Sequence, residues 1–273
     1  GHRLLGNTAP DPALDRRLQT LLTEVAPAAP LDDGTAWLGA AVGIKDPTHV
    51  TFRRETGSNL LVVAPPGPEP VGMLATAVVG LAASSSKTSD APAGTRPKLV
   101  VLSGNSHDLP QPRFWQHLAA ATALDVEVFG PRDARQTVAT VAELVAHRQR
   151  LGEEHAAPVY FLIAELNRFR DLRGSDDVFS FDRTSSSDEP DPADQLRDVL
   201  SDGPHVGVHT ILWCDTYLNL TRHVDREGMR ELTLRVLFQM SATDSSNLIE
   251  SAAANQLGRN RALLSAENEA RLE

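Results

Sequence analysis

The chain has 273 residues, 41% of them hydrophobic and 5% aromatic, and carries a formal net charge of −10. That length can bury one substantial core built on Leu, Val, Ile and Ala, and the acidity argues against a nucleic-acid surface, whose affinity comes from Lys and Arg on phosphates. Cys214 is the single cysteine, which excludes an intramolecular disulfide framework and fits a reducing, cytoplasmic setting, while no apolar run approaches the ~20 residues that span a bilayer.

No signal peptide is evident, Gly1-His2 reads as a cloning remnant, and the chain is expected to be a piece of a longer protein. Leu14, Leu18, Leu21 and Leu22 fall on one face of a helix expected over 10–25, and the Pro-rich APAAP then closes an N-terminal unit of about 30 residues. The rest, 31–273, reads as one domain. It opens with a short strand pair, 36–44 and 49–52, turned by Lys45-Asp46-Pro47. An apolar strand at 59–64, a small-residue helix at 71–83 and a polar loop at 84–97 follow. Strands are then expected at 98–103, 126–129 and 158–164, with helices at 113–124 and 133–150 between them. The acidic stretch 174–194 reads as a mobile insertion. Beyond it come helix 193–201, strand 207–214, helix 225–233, strand 235–241, helix 247–257 and a last strand at 262–265. Apolar strands alternating with helices predict an α/β fold with a doubly wound, mostly parallel sheet and a ligand crevice at the carboxyl ends of its strands.

The turn between 59–64 and 71–83 reads APPGPEPVGM. Strand, turn and helix are the setting in which GxxxxGK[ST] cradles phosphates. In that frame Ala64 stands for the first glycine, Glu69 for the second, Pro70 for the lysine and Val71 for the hydroxyl residue, leaving Gly67 as the one glycine between Ala64 and Val71. A phosphate loop needs converging N–H groups, a lysine for the β and γ charge and a hydroxyl for the metal ion. Pro65, Pro66, Pro68 and Pro70 have no N–H, Glu69 brings negative charge, and no lysine or hydroxyl remains.

Three segments together resemble the motor domain of the FtsK/SpoIIIE translocases, in the FtsK–HerA group of P-loop ATPases. They are GSNLLVV with its loop, PVYFLIAELNRFRDL at 158–172, and GVHTILWCDT followed by RVLFQMSATDSSNLIESAAANQLGRNRALLS, together covering roughly 36–265. The resemblance implies a RecA/FtsK-like P-loop NTPase fold with flanking helices. It also implies that the Walker B aspartate is replaced by Ala164, and that Glu165 stands where the water-activating glutamate would be. Thr216 takes the place of a sensor threonine beyond Trp213-Cys214-Asp215. In Asp244-Ser245-Ser246, Ser246 holds the position of an arginine that faces a neighbouring subunit.

The reading is a catalytically degenerate domain that regulates, scaffolds or recruits partners within a larger ATPase, with no cofactor and no metal expected. Its expected partners are other domains or subunits of an FtsK-like ATPase and a peptide or protein, with DNA met only through the larger assembly and the isolated chain monomeric. The alternative is an active DNA-translocating motor, for which ATP and magnesium would be required; a small-molecule-binding α/β domain is a third class. Other residues point elsewhere only weakly. Lys87-Thr88 lacks the glycine spacing of a phosphate loop, and His205 and His209 lack a third ligand. Cys214 reads as a buried hydrophobe. No G-x-S-x-G elbow occurs. Arg168, Arg170 and Arg173 form the best basic cluster, read as a solvated helix face, with Phe169 either a partner anchor or a packing residue.

Overall fold

The computed structural model describes residues 34–39, 48–85, 96–104, 113–122, 124–153, 156–174 and 190–266. The helix expected at 10–25, the Pro-rich linker, Lys87-Thr88 and residues 175–189 of the acidic stretch lie outside them.

Two short strands, β1 (Gly34–Gly39) and β2 (Thr48–Phe52), pair antiparallel with a register shift between Trp37 and Gly39. The chain then enters β3 (Leu60–Val63), a fully buried LLVV, and α1 (Pro68–Ser85). β4 (Lys98–Ser103), α2 (Phe114–Ala120), β5 (Asp125–Phe129), α3 (Ala134–Leu151) and β6 (Val159–Ala164) follow. The remainder runs α4 (Pro192–Asp202), β7 (Val208–Cys214), α5 (Tyr217–Leu220), α6 (Arg226–Arg230), β8 (Leu234–Leu237), α7 (Ala242–Ile249) and β9 (Leu263–Ala266).

Seven strands form one sheet in the order β5-β4-β6-β7-β3-β8-β9. All neighbours are parallel except the β8–β9 pair, which is antiparallel at the edge. Parallel strands buried on both faces read as continuous apolar runs, which is why LLVV, VYFLIA and VHTILWC carry no alternation. Side chains still alternate in space. Leu61, Val63, Phe161, Ile163 and Leu212 face α3 and α4, meeting Val138, Val141, Leu196 and Val199. Leu60, Val62, Leu162, Ile211 and Trp213 face the other way, onto Leu74, Ala77 and Leu81 of α1 and onto Val50 and Phe52 of β2. Helix α1 is therefore covered on two sides, by the sheet and by the β1–β2 hairpin, and its sequence is accordingly apolar nearly all round. Gly80 makes this close approach feasible: a Cβ there would sit 2.3 Å from Trp37 Cδ1 and 3.0 Å from the Thr35 carbonyl oxygen.

The short α5 was not expected, the strand expected at 235–241 ends at Leu237 and the helix expected at 225–233 shortens to Arg226–Arg230; three further differences bear on the site and its flanks. α1 begins at Pro68, so three of the loop residues belong to its first turn, as proline's fixed φ permits at a helix start. The single helix expected at 247–257 is two pieces. Ser241 caps α7 through a hydrogen bond to the Asp244 N–H, Glu250 ends it at a left-handed φ of 56°, and a short 3-10 turn follows at Ala252–Gln256. The segment after β6 forms two 3-10 turns, Leu166–Arg168 and Arg170–Leu172, instead of a helix.

Candidate functional site

Because β3, β4, β6 and β7 are parallel, their carboxyl ends emerge on one edge of the sheet. In spatial order that edge carries Gly104 after β4, Glu165 after β6, Asp215 after β7 and the Ala64–Gly67 loop after β3. Ligands of open α/β sheets bind at such an edge.

The loop is held from below. The Ala64 N–H donates to the Cys214 carbonyl at 3.0 Å, and the Trp213 indole N–H donates to the Ala64 carbonyl at 3.0 Å. Trp213 is 1% exposed and packs on the α1 side of the sheet. Ala64, Gly67, Pro70 and Val71 are buried, and Glu69 is half-buried. A Cβ on Gly67 would lie 3.0 Å from Glu69 Oε2, so the Glu69 carboxylate folds back over the one glycine of the loop.

Glu165 is 1% exposed and adopts a left-handed backbone, φ 65° and ψ 61°. The Gly104 N–H donates to the Ala164 carbonyl at 3.1 Å, and a Cβ on Gly104 would come within 3.1 Å of Glu165 Oε2. Gly104 thus makes room for a buried carboxylate, with Arg168 Nε at 3.8 Å from Glu165 Oε1. The end of β7 lies between Glu165 and the loop.

No protein-family profile and no curated protein matches the chain. Solved structures do. The TcpA conjugation coupling protein of pCW3, as a monomer with ATPγS, superposes with a TM-score of 0.57 at 10% identity, over 86% of this chain and 63% of that one. ATPases 2 and 3 of Thermomonospora curvata EccC, in complex with a signal sequence peptide, give 0.55 at 15% identity over 88% of this chain and 46% of that one. ATPases 2 and 3 of EssC from Geobacillus thermodenitrificans give 0.53 at 11%, covering 98% and 46%. The fold is that of the FtsK/SpoIIIE-like ATPases. The chain spans between about half and two-thirds of the length of these matched structures.

Within that FtsK/SpoIIIE-like frame the other expected positions are placed as follows. Thr216 is the N-cap of α5: its hydroxyl accepts from the Asn219 N–H at 3.2 Å and donates to Asp215 Oδ1 at 3.3 Å. Asp215 also accepts both Asn219 amide contacts, at 2.9 and 3.0 Å. Both groups are occupied with holding that corner. Ser246 lies exposed on α7, its hydroxyl turned back to the Ala242 carbonyl at 2.8 Å. Its neighbour Ser245 is buried and accepts from the Ala254 N–H at 3.2 Å.

His205 and His209 diverge. His205 Nε2 meets Thr56 Oγ1 at 3.2 Å in the open, whereas buried His209 Nδ1 meets the Ser58 carbonyl at 2.9 Å. Burial pulls the His209 pKa down to about 4. Among the described residues no group of three His, Cys, Asp or Glu could hold a metal ion, and no helix is long and apolar enough to cross a membrane. Burial pushes the Cys214 thiol up to about 12, far from a nucleophile's range.

Two polar contributors escaped the sequence reading. Asn59, buried within an apolar strand entry, donates to the Leu200 and Glu231 carbonyls at 2.9 Å each and accepts from the Thr210 N–H at 2.8 Å. A lone amide in GSNLLVV was the available signal. Trp213 stood out as a substitution, but its partner across the sheet was not visible.

Proposed function

We propose that this chain is a non-hydrolysing FtsK/SpoIIIE-like domain that scaffolds or regulates a larger cytoplasmic ATPase assembly through contacts with other domains or subunits and with a peptide or protein partner. The loop at the end of β3 carries the reading. A magnesium-bound triphosphate requires converging N–H donors, and four of the residues from 65 to 70 are prolines. The Glu69 carboxylate, folded over Gly67, adds repulsion where phosphate charge would sit. No lysine, serine or threonine lies between Ala64 and Val71, and Ala164 offers no carboxylate to a metal ion. The residues present do not fit the nucleotide, and no catalytic step is assigned to them. Neighbours in which several ATPase units share one chain, such as the EccC and EssC structures, support a role within an assembly.

The rival is a working DNA-translocating motor. Glu165 favours it, since a buried carboxylate on a left-handed backbone at a strand end is the kind of strained group that catalytic sites retain.

Thermal unfolding with and without millimolar Mg-ATP separates the two. A ligand at 100 times its Kd adds ~2.7 kcal/mol to the folded state, a clear rise in melting temperature. The scaffold reading expects no rise and no DNA-stimulated hydrolysis; either one overturns it.

A further inference from the structure

Four arginines gather at the carboxyl edge of β6 and β7, in a chain whose formal net charge is −10. The two 3-10 turns after β6 set three of them. Phe169 separates the turns, and it is buried together with Leu166 and Leu172, which pins both turns to the core. Arg170, which opens the second turn, and Arg173, which follows it, are exposed, and Arg168 stands beside them half out in solvent. The Gly174 N–H donates to the Arg222 carbonyl at 3.2 Å, bringing the corner that follows α5 against the end of the second turn. The Arg222 guanidinium is exposed and steadied by Asn219 Oδ1 at 3.2 Å. Among the described residues no carboxylate lies within 4.0 Å of Arg170, Arg173 or Arg222. Their charge is felt inward: Arg173 helps, after burial, to lower the pKa of His223. Leu218, 63% exposed and one of two large hydrophobics left so among the described residues, lies four positions before Arg222.

We propose that this patch is a docking surface for an acidic peptide segment carrying an apolar side chain, with carboxylates on Arg170, Arg173 and Arg222 and the apolar group on Leu218. Guanidinium pairs with carboxylate through two parallel hydrogen bonds, a geometry that Arg170, Arg173 and Arg222, none of them paired with a carboxylate among the described residues, can offer to a short acidic stretch. Nucleic acid fits less well. Single strands bind by stacking bases on exposed rings, and here Phe169 is buried and Tyr217 packs on the core. A handful of arginines also releases few counterions, against the repulsion of a strongly acidic body. The inference deepens the partner-binding reading and rests on it for its biological role, but the surface needs no nucleotide.

The test is fluorescence anisotropy on the purified chain with three labelled probes. These are a short peptide of glutamate and leucine, the same peptide with glutamine for glutamate, and a single-stranded oligonucleotide. The glutamate peptide is expected to bind, to weaken as salt shortens the Debye length from ~10 Å towards ~3 Å, and to lose roughly tenfold or more in affinity in the Arg170→Glu, Arg173→Glu double variant. Leu218→Ser is expected to weaken it several-fold at unchanged melting temperature. The idea fails if the glutamate peptide does not bind, if the glutamine peptide binds as well, or if the double variant binds equally. It also fails if the oligonucleotide binds and loses its affinity in that double variant, which would make the patch a nucleic-acid surface. ATP hydrolysis in the same samples would overturn the non-hydrolysing reading and leave the patch result standing.

Discussion

Trp213 and Arg148 show how single side chains hold this fold by reaching across it. The Trp213 indole supports the Ala64 carbonyl from the neighbouring strand. Trp213→Phe keeps most of the volume and removes the donor, so urea denaturation should show a loss of about 1–2 kcal/mol; Trp213→Ala should lose about 3–5 kcal/mol. Arg148 lies in the last turn of α3, where a basic residue suits the helix dipole from the surface. It turns inward instead, and its two terminal nitrogens donate to the Val206 and Ala157 carbonyls at 2.9 Å each. Arg148→Met should cost about 2–4 kcal/mol, and Arg148→Lys should recover little of it, because one ammonium does not reproduce the fork. Neither role was legible, since each partner lies on another element. The loop chemistry was legible, because a missing N–H is a property of proline wherever it folds.

At the scale of elements, the hydrophobic pattern located every strand of the described sheet to within a few residues. The reason is that buried parallel strands are continuous apolar runs, as Val159–Ala164 illustrates. Boundaries failed where local backbone chemistry decides. Glu250 stops α7 at a left-handed φ of 56°, which a charged residue does not announce. Glu250→Gly should relieve that conformation and stabilise the chain by roughly 0.5–1 kcal/mol, seen as a higher urea midpoint at unchanged m-value. The contact of α1 with the hairpin is the converse case. Gly80→Ala drives a methyl group into Trp37 and the Thr35 backbone, so it should destabilise by about 1–3 kcal/mol despite alanine's better helix propensity. A wild-type-like urea midpoint for Gly80→Ala would refute the packing described. The predicted strand pair foresaw the hairpin, but not that it would lie on α1.

For the whole molecule, the doubly wound parallel architecture was readable from alternation alone, whereas the antiparallel β9 edge was not, because a four-residue strand carries no directional signal. Acid should unfold the chain partly through one residue. His209 keeps its neutral form in the fold, with a pKa of about 4 against an ordinary value of 6.5. Its contribution is complete above pH 6.5 and is lost as pH falls from 6.5 towards 4, a change on the order of 3 kcal/mol. Stability measured between pH 7.5 and pH 4.5 should therefore fall less steeply in His209→Asn than in the wild type, even though the variant starts lower. Finally, β3 sits between β7 and β8, so Leu60 finds its partners only at Ile211 and Leu234. On a ribosome adding ~5–20 residues per second, LLVV would wait on the order of ten seconds or more with both edges bare. The strand that anchors the loop is thus the one most in need of shelter while the protein is being made, and slow synthesis or a weakened β8 should show itself first as aggregation of nascent chains.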